Sequence, residues 1–228
     1  MKRLFVLFLP LVLALMSCGD KEEIQRLTDA NTELAEKIAS LEAQLKPYKE
    51  SYDRFQFLAR KLKGIKARIV TNHGDIEVAF FPDKAPLHCF NFITRAESGF
   101  YDNIQFHRVI SGFMIQAGDP NSKDEDPYND GIGGPIAMIP HEFNDTNHVP
   151  GILSMARTGN VGAGAGSQFF IVHGNAAHLN NQYTAFGKVT KGIEVVNKIA
   201  AIETNKKDRR LQDRPVKPAI IKEIQVYR

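Results

Sequence analysis

Phe106-His107-Arg108-Val109-Ile110-Ser111-Gly112-Phe113-Met114-Ile115-Gln116-Ala117-Gly118-Asp119 is the stretch on which the reading of this chain turns. Its first five residues alternate as a strand does, with Phe106, Arg108 and Ile110 on one face and His107 and Val109 on the other. Gly112 breaks the run at a turn or bulge, after which Met114 and Gln116 share a face. An arginine among large apolar residues is destabilising to bury alone. Arg108 therefore either pairs internally or stands at the rim of a site, open to a group that accepts hydrogen bonds.

Outward from this centre the chain reads as short strands and two helices. Toward the N-terminus, residues 66–72 and 75–81 alternate around the turn Asn72-His73-Gly74-Asp75. Pro86 and Gly99 bracket a helix with Leu87, Phe90, Ile93 and Ala96 on one face. Toward the C-terminus comes a loop over 120–134 rich in Asp, Asn, Gly and Pro. Apolar runs follow at 151–155, 168–172 and 184–189, then a helix over 192–200 and a closing strand over 219–227. The pattern predicts a mainly β domain over residues 64–228, a small barrel plugged at its ends by two helices.

The N-terminal part reads differently. Basic Met1-Lys2-Arg3 precedes an apolar run over 4–16, too short for a membrane span of about 20 residues but suited to a secretory signal. Leu15-Met16-Ser17-Cys18-Gly19 resembles a bacterial lipobox, which makes residues 1–17 a cleaved signal peptide and Cys18 a lipidated N-terminus. Lipid at Cys18 would tether the protein to a bacterial membrane in the cell envelope, facing the periplasm or exposed at the outer surface. The plainer alternative is an ordinary signal peptide with an incidental cysteine. Cys89 reads as a small buried hydrophobe inside a helix, so the fold does not depend on a disulfide.

Residues 18–63 read as a helical stalk. Ile24, Leu27, Asn31, Leu34, Ile38, Leu41, Leu45 and Tyr48 alternate between a and d positions of heptads. Asn31 at an a position favours a parallel two-stranded pairing, so residues 24–48 are a candidate homodimer interface. The alternative is a single helix lying against its own domain. Pro47 is expected to kink or interrupt the helix.

Charge and motifs narrow the chemistry. With 24% charged residues and a net charge of +3, the totals suggest neither nucleic acid nor an acidic substrate as partner. His141, Glu142 and His148 lack the helical HExxH spacing, and Asp124, Glu125, Asp126 and Asp130 lack the EF-hand order. The glycines of 159–166 carry no GK[ST], and GxSxG is absent. No metal or cofactor is predicted. Arg108, Phe113, Met114, Gln116, Gln168, Phe170 and Leu179 remain, a set without a nucleophile. It suits rotation about an X–Pro bond, whose barrier of about 18–20 kcal/mol comes from amide resonance.

The central stretch, with Gly131-Ile132-Gly133-Gly134, Gly151-Ile152-Leu153-Ser154-Met155-Ala156, Gly166-Ser167-Gln168-Phe169-Phe170-Ile171 and Phe186-Gly187-Lys188-Val189, resembles the cyclophilin family of peptidyl-prolyl isomerases over residues 65–228. The resemblance implies a closed eight-stranded antiparallel barrel capped by two helices, and isomerase activity on proline-containing segments of exported proteins. It implies Arg108 as the main catalytic residue, assisted by Phe113 and by Gln116, which would hold the substrate carbonyl and orient Arg108. Phe113, Met114, Phe170 and Leu179 would hold the proline ring, while Ala156 and Gln168 would border the groove for the preceding residue. His178 and Tyr183 complete the binding surface, standing where the best-known eukaryotic members have Trp and His. His178 lacks the indole donor that tight cyclosporin binding uses, whereas the Tyr183 hydroxyl can still bond a peptide carbonyl. Two rival readings are a non-catalytic proline-peptide binding module or holdase, and an envelope stalk carrying a passive head.

Overall fold

The computed structural model describes residues 20–228, so the expectations for the signal segment and Cys18 lie outside the described residues. Two compact units divide at Asp53 and Arg54. Helix α1 runs Asp20–Leu62 and is not interrupted at Pro47. The amide hydrogen bond that proline forgoes would have gone to the carbonyl of Ala43, which is exposed and reaches water instead. In the first unit Leu27, Leu34, Ile38, Leu41, Leu45 and Tyr48 are all exposed. In the second, Ala59 and Leu62 are buried, and Leu58 packs against the main core.

The rest of the second unit is one sheet with two helices. Its strands are β1 (Lys66–Thr71), β2 (Gly74–Phe80), β3 (Ile104–Gln105), β4 (Arg108–Ile110), β5 (Met114–Ala117), β6 (Ile152–Arg157), β7 (Ala165–Val172), β8 (Ala185–Lys191) and β9 (Ile220–Tyr227). Helix α2 (Pro86–Glu97) packs against β7, β8 and β9, and α3 (Ile193–Ala200) against β2, β4 and β5. All strand pairs are antiparallel, in the order β3-β9-β1-β2-β8-β6-β7-β5-β4.

The closed eight-stranded barrel is thereby corrected to a nine-stranded curled sheet with two ends. The cause lies in the central stretch. Its expected first strand is broken at Phe106 and His107, so β3 and β4 follow one another in the chain yet form opposite edges. The strict alternation fails at the same place. Phe106 and Val109 both enter the main core, while Arg108 and Ile110 are half-buried elsewhere.

Two apolar clusters sit on the two faces of the sheet. Along β5 and β7, Ile115, Ala117, Phe169 and Ile171 belong to the main core, and the intervening Met114, Phe170 and Val172 to a second cluster. Phe92 of α2 centres the main core, its ring 5.1–5.6 Å from those of Phe80, Tyr101, Phe169 and Phe186. Cys89 is buried there as a free thiol, and burial pushes its pKa well up, which makes it unreactive. The second cluster is what the sheet presents outward, and it carries the candidate site.

Candidate active site

A tight turn positions the first part of the site. Gly112, at φ +78°, joins β4 to β5 and puts Phe113 at the tip of the hairpin. The turn is tied to the chain beyond β7: His173 Nδ1 accepts from the Gly112 amide at 2.9 Å, and the Phe113 carbonyl accepts from the His173 amide at 2.8 Å. A Cβ on Gly174 would lie 1.8 Å from the Gly112 carbonyl oxygen, so only glycine permits this approach.

The hairpin register sets Arg108 opposite Gln116 and Ile110 opposite Met114, with Gln116 opposite Phe170 on the next strand. Arg108, Met114, Gln116 and Phe170 wall a cavity of about 360 Å³ together with Ala156, Leu179 and Tyr183. Its floor is apolar: Met114, Phe170 and Leu179 are each more than nine-tenths buried, and Phe113 leans in half-exposed. Tyr183 meets the Phe170 ring edge-on at 5.8 Å. His178 is exposed and does not line the cavity; its ring stands 5.4 Å from that of Phe113, on the outer side of the hairpin tip.

A polar network runs from the lining residue Gln116 to Gln168 and Asp119, which lie outside the lining. Gln116 Nε2 donates to Gln168 Oε1 at 2.9 Å, and Gln168 Nε2 donates to the carbonyls of Gly133 at 2.8 Å and Gly131 at 3.0 Å. Asp119, fully buried, accepts from the amides of Asn121 at 2.8 Å, Gly133 at 3.2 Å and Gly131. The two glutamines and Asp119 thus hold the 119–134 loop against the site. Arg108 is oriented from elsewhere. Its Nε donates to Asp213 Oδ2 at 3.2 Å, while Gln116 Nε2 gives one of its two hydrogens to Gln168 and keeps the other.

Several lining residues carry no signal in the sequence. Asp213 lies 105 positions from Arg108. His107, beside Gly131, is buried with both ring nitrogens unpartnered among the described residues, and burial brings its pKa down to about 4. The 123–130 loop meets the 208–214 segment at the cavity rim. Asp130 pairs with Arg214, the Tyr128 hydroxyl donates to Asp208 at 2.9 Å, and the Arg210 guanidinium lies 4.3 Å from the Tyr128 ring centre. Asp130 is thus the acid of this loop that an arginine holds, while Asp124, Glu125 and Asp126 are exposed.

The residues considered as metal ligands serve structure instead. Glu142 accepts from the first amides of α2, Leu87 at 3.0 Å and His88 at 2.9 Å, and from His88 Nδ1 at 2.6 Å. His148 Nε2 meets Ser154 Oγ at 2.9 Å, and the His141 ring stacks on Phe143 at 4.7 Å. No group of three potential ligands comes together among the described residues.

Known proteins resemble this chain throughout the curled-sheet domain. A protein of Rhizopus delemar named peptidyl-prolyl cis-trans isomerase-like 2 is 40% identical over 181 residues, covering 77% of this chain and 31% of its own length. A peptidyl-prolyl cis-trans isomerase of Synechococcus elongatus is 44% identical over 124 residues, 54% of this chain and 79% of that one. The chain thus spans less than a third of the Rhizopus protein but most of the cyanobacterial one. The crystal structure of a Cryptosporidium parvum cyclophilin type isomerase, in the presence of the dipeptide Ala-Pro, matches with a TM-score of 0.64 and 34% identity. That match covers 72% of this chain and 99% of the other. The family model described as "Cyclophilin type peptidyl-prolyl cis-trans isomerase/CLD" spans residues 66–226, and with it the hairpin, the glutamine pair and the apolar floor, so the chain belongs to the cyclophilin-type peptidyl-prolyl cis-trans isomerase family.

Proposed function

We propose that the protein is a peptidyl-prolyl cis-trans isomerase and that the cavity beside the β4–β5 hairpin is its active site. The observation that carries this reading is a half-exposed guanidinium, Arg108, set opposite Gln116 at the mouth of an apolar pocket. As the amide twists, resonance is lost and the prolyl nitrogen gains a lone pair that accepts a hydrogen bond. A donor aimed at that nitrogen stabilises the twisted state over either planar one. With Nε held on Asp213, the Nη groups of Arg108 are left for this role. Met114, Phe170, Leu179 and Phe113 take the ring, Gln116 the substrate carbonyl, and Ala156 and Gln168 border the preceding residue. His178 and Tyr183 extend the contact surface outward. No cofactor is required by this chemistry.

The setting belongs to the same proposal. Lipid at Cys18 anchors the protein in a bacterial envelope, residues 18–63 carry it off the membrane, and exported proteins with accessible X–Pro bonds are its substrates. The exposed stripe from Leu27 to Tyr48, with Asn31 in register, supports a parallel homodimer. Tethering both chains on one membrane would favour that pairing. The experiment is magnetisation-exchange NMR on an Ala-Pro peptide with the lipid-free protein. Uncatalysed relaxation takes tens to hundreds of seconds. Exchange many times faster at catalytic protein concentrations is the expected result. Peptide binding without faster exchange would make the domain a proline-peptide reader and refute the isomerase.

A further inference from the structure

The cavity lining carries five arginines, Arg108, Arg157, Arg209, Arg210 and Arg214, against two carboxylates, Asp130 and Asp213. Both carboxylates are already engaged, Asp213 by Arg108 and Asp130 by Arg214. The other three arginines have no carboxylate within ion-pair distance among the described residues. Arg157 donates to the carbonyls of Gln182 at 2.9 Å and Thr158 at 3.0 Å and lies 4.5 Å from the centre of the Tyr183 ring. Arg210 stacks on Tyr128, and Arg209 is exposed. Stacking fixes the plane of a guanidinium and leaves an edge free to donate a pair of parallel hydrogen bonds.

The imbalance is local. The whole chain has a formal net charge of +3, and three arginines without an ion pair stand on the wall of this one cavity, Arg210 with Asp208 accepting from its backbone amide at 2.8 Å. A groove next to it shares Leu211, Gln212, Asp213 and Arg214 and adds Lys206 and Lys207 against Glu203. A surface arranged only for solubility intersperses both signs. Here both lining carboxylates are used up internally and the unpaired charges of the lining are cationic, while Asp124, Glu125, Asp126 and Asp208 stand outside the lining.

The geometry points to a substrate class: we propose that the cavity selects proline segments carrying an anionic side chain next to the proline. This rests on the cavity being the isomerase site. Arg157 directly follows Ala156 on β6 and faces the residue before the proline. Arg209 and Arg210 belong to the segment beyond β4, where the Val109 amide donates to the Asp213 carbonyl at 2.7 Å, and face the residues after it. β6 and β4 are separated by β7 and β5, roughly 14 Å at the usual strand spacing, which about four extended residues span. The overall charge balance, which suggests no acidic partner, averages this cluster away. The anion is a carboxylate or a phosphomonoester, since arginine receives both.

The test compares peptides with Glu, phosphoserine, Gln or Lys on either side of one proline. Exchange NMR gives kcat/KM and the same titrations give Kd, at low salt and at about 0.5 M, where exposed charges are screened. The expected order is anionic over Gln over Lys, roughly two- to fivefold per anionic side chain, as exposed ion pairs give. The order should compress at high salt, and the Glu and phosphoserine arms identify the preferred anion. Arg157→Gln should flatten the order before the proline, and the Arg209→Gln, Arg210→Gln pair the order after it. Equal values for Glu, phosphoserine, Gln and Lys at low salt, or an order unchanged in both variants, would overturn the proposal. Absence of turnover on every peptide would instead refute the isomerase reading, and the Kd series would still decide whether the cavity prefers anions.

Discussion

Replacing Arg108 by alanine should separate catalysis from folding, because the proposed mechanism asks much of the arginine and the fold asks little. Its side chain is 43% exposed and its ion-pair partner Asp213 is 32% exposed. A pair so open to water stabilises the fold by about 1 kcal/mol or less. At roughly 2–4 °C per kcal/mol for a domain of this size, Arg108→Ala should lower Tm by no more than about 4 °C. In the proposed mechanism, by contrast, the guanidinium donates to the lone pair that the prolyl nitrogen gains only as resonance breaks. Loss of one such donor removes roughly 10²–10³ from the rate. The assay is a protease-coupled proline-peptide measurement at low temperature, with wild type and variant matched by calorimetry. Arg108→Lys is the informative companion. A lysine has a single ammonium, which cannot hold Asp213 and also reach the pocket, so it should recover little of the lost rate. Near-wild-type kcat/KM in Arg108→Ala would refute the mechanism, and a variant that unfolds in proportion to its lost activity would make Arg108 structural.

Three other perturbations probe the surroundings. Burial holds the His107 imidazole at a pKa of about 4, with Asp119 opposing the shift and Arg214 and Arg108 adding to it. The unfolded chain binds that proton near pH 6.5, so between there and about 4 it holds more protons than the native state. Stability should therefore fall as pH drops through this window, by up to about 3 kcal/mol from this group. His141 and His148, also lowered chiefly by burial, act in the same direction, so urea titrations of His107→Gln should show a shallower acid slope, not a flat one. Gly174→Ala should destabilise by about 1–3 kcal/mol and weaken peptide binding, because its Cβ would strike the Gly112 carbonyl under the Phe113 turn. A wild-type Tm in that variant would show that the turn yields freely. Sedimentation of the lipid-free protein should reveal a concentration-dependent dimer lost in Leu34→Pro, and a monomer at every concentration would remove the stalk interface.

Much of this was legible in the sequence, and the failures share a cause. Periodicity reports which side of its own strand a residue takes, so the alternation along β5 and β7 sorts Met114, Gln116 and Phe170 onto the site face. It does not report where a ladder stops. The break at Phe106 and His107 has no glycine or proline to announce it, and it turns an expected closed ring into a sheet with two edges. Pairings between distant loops are equally silent. Asp130 pairs with Arg214, which lies some eighty residues on in a segment with no regular period, whereas Asp124, Glu125 and Asp126 are exposed as a solvated run would be.

Arg108 shows what such silence costs. The sequence poses two alternatives for it, an internal pair or a place at the rim of a site. The fold makes these compatible, since Nε is held by Asp213 while the side chain stays nearly half exposed over the apolar floor. A carboxylate that holds the guanidinium through Nε restricts its swing and leaves the Nη hydrogens for another acceptor. The 203–218 segment, between α3 and β9, thus both orients the proposed catalytic arginine through Asp213 and supplies Arg209 and Arg210 of the rim. Orientation and substrate choice would then vary together whenever this segment changes.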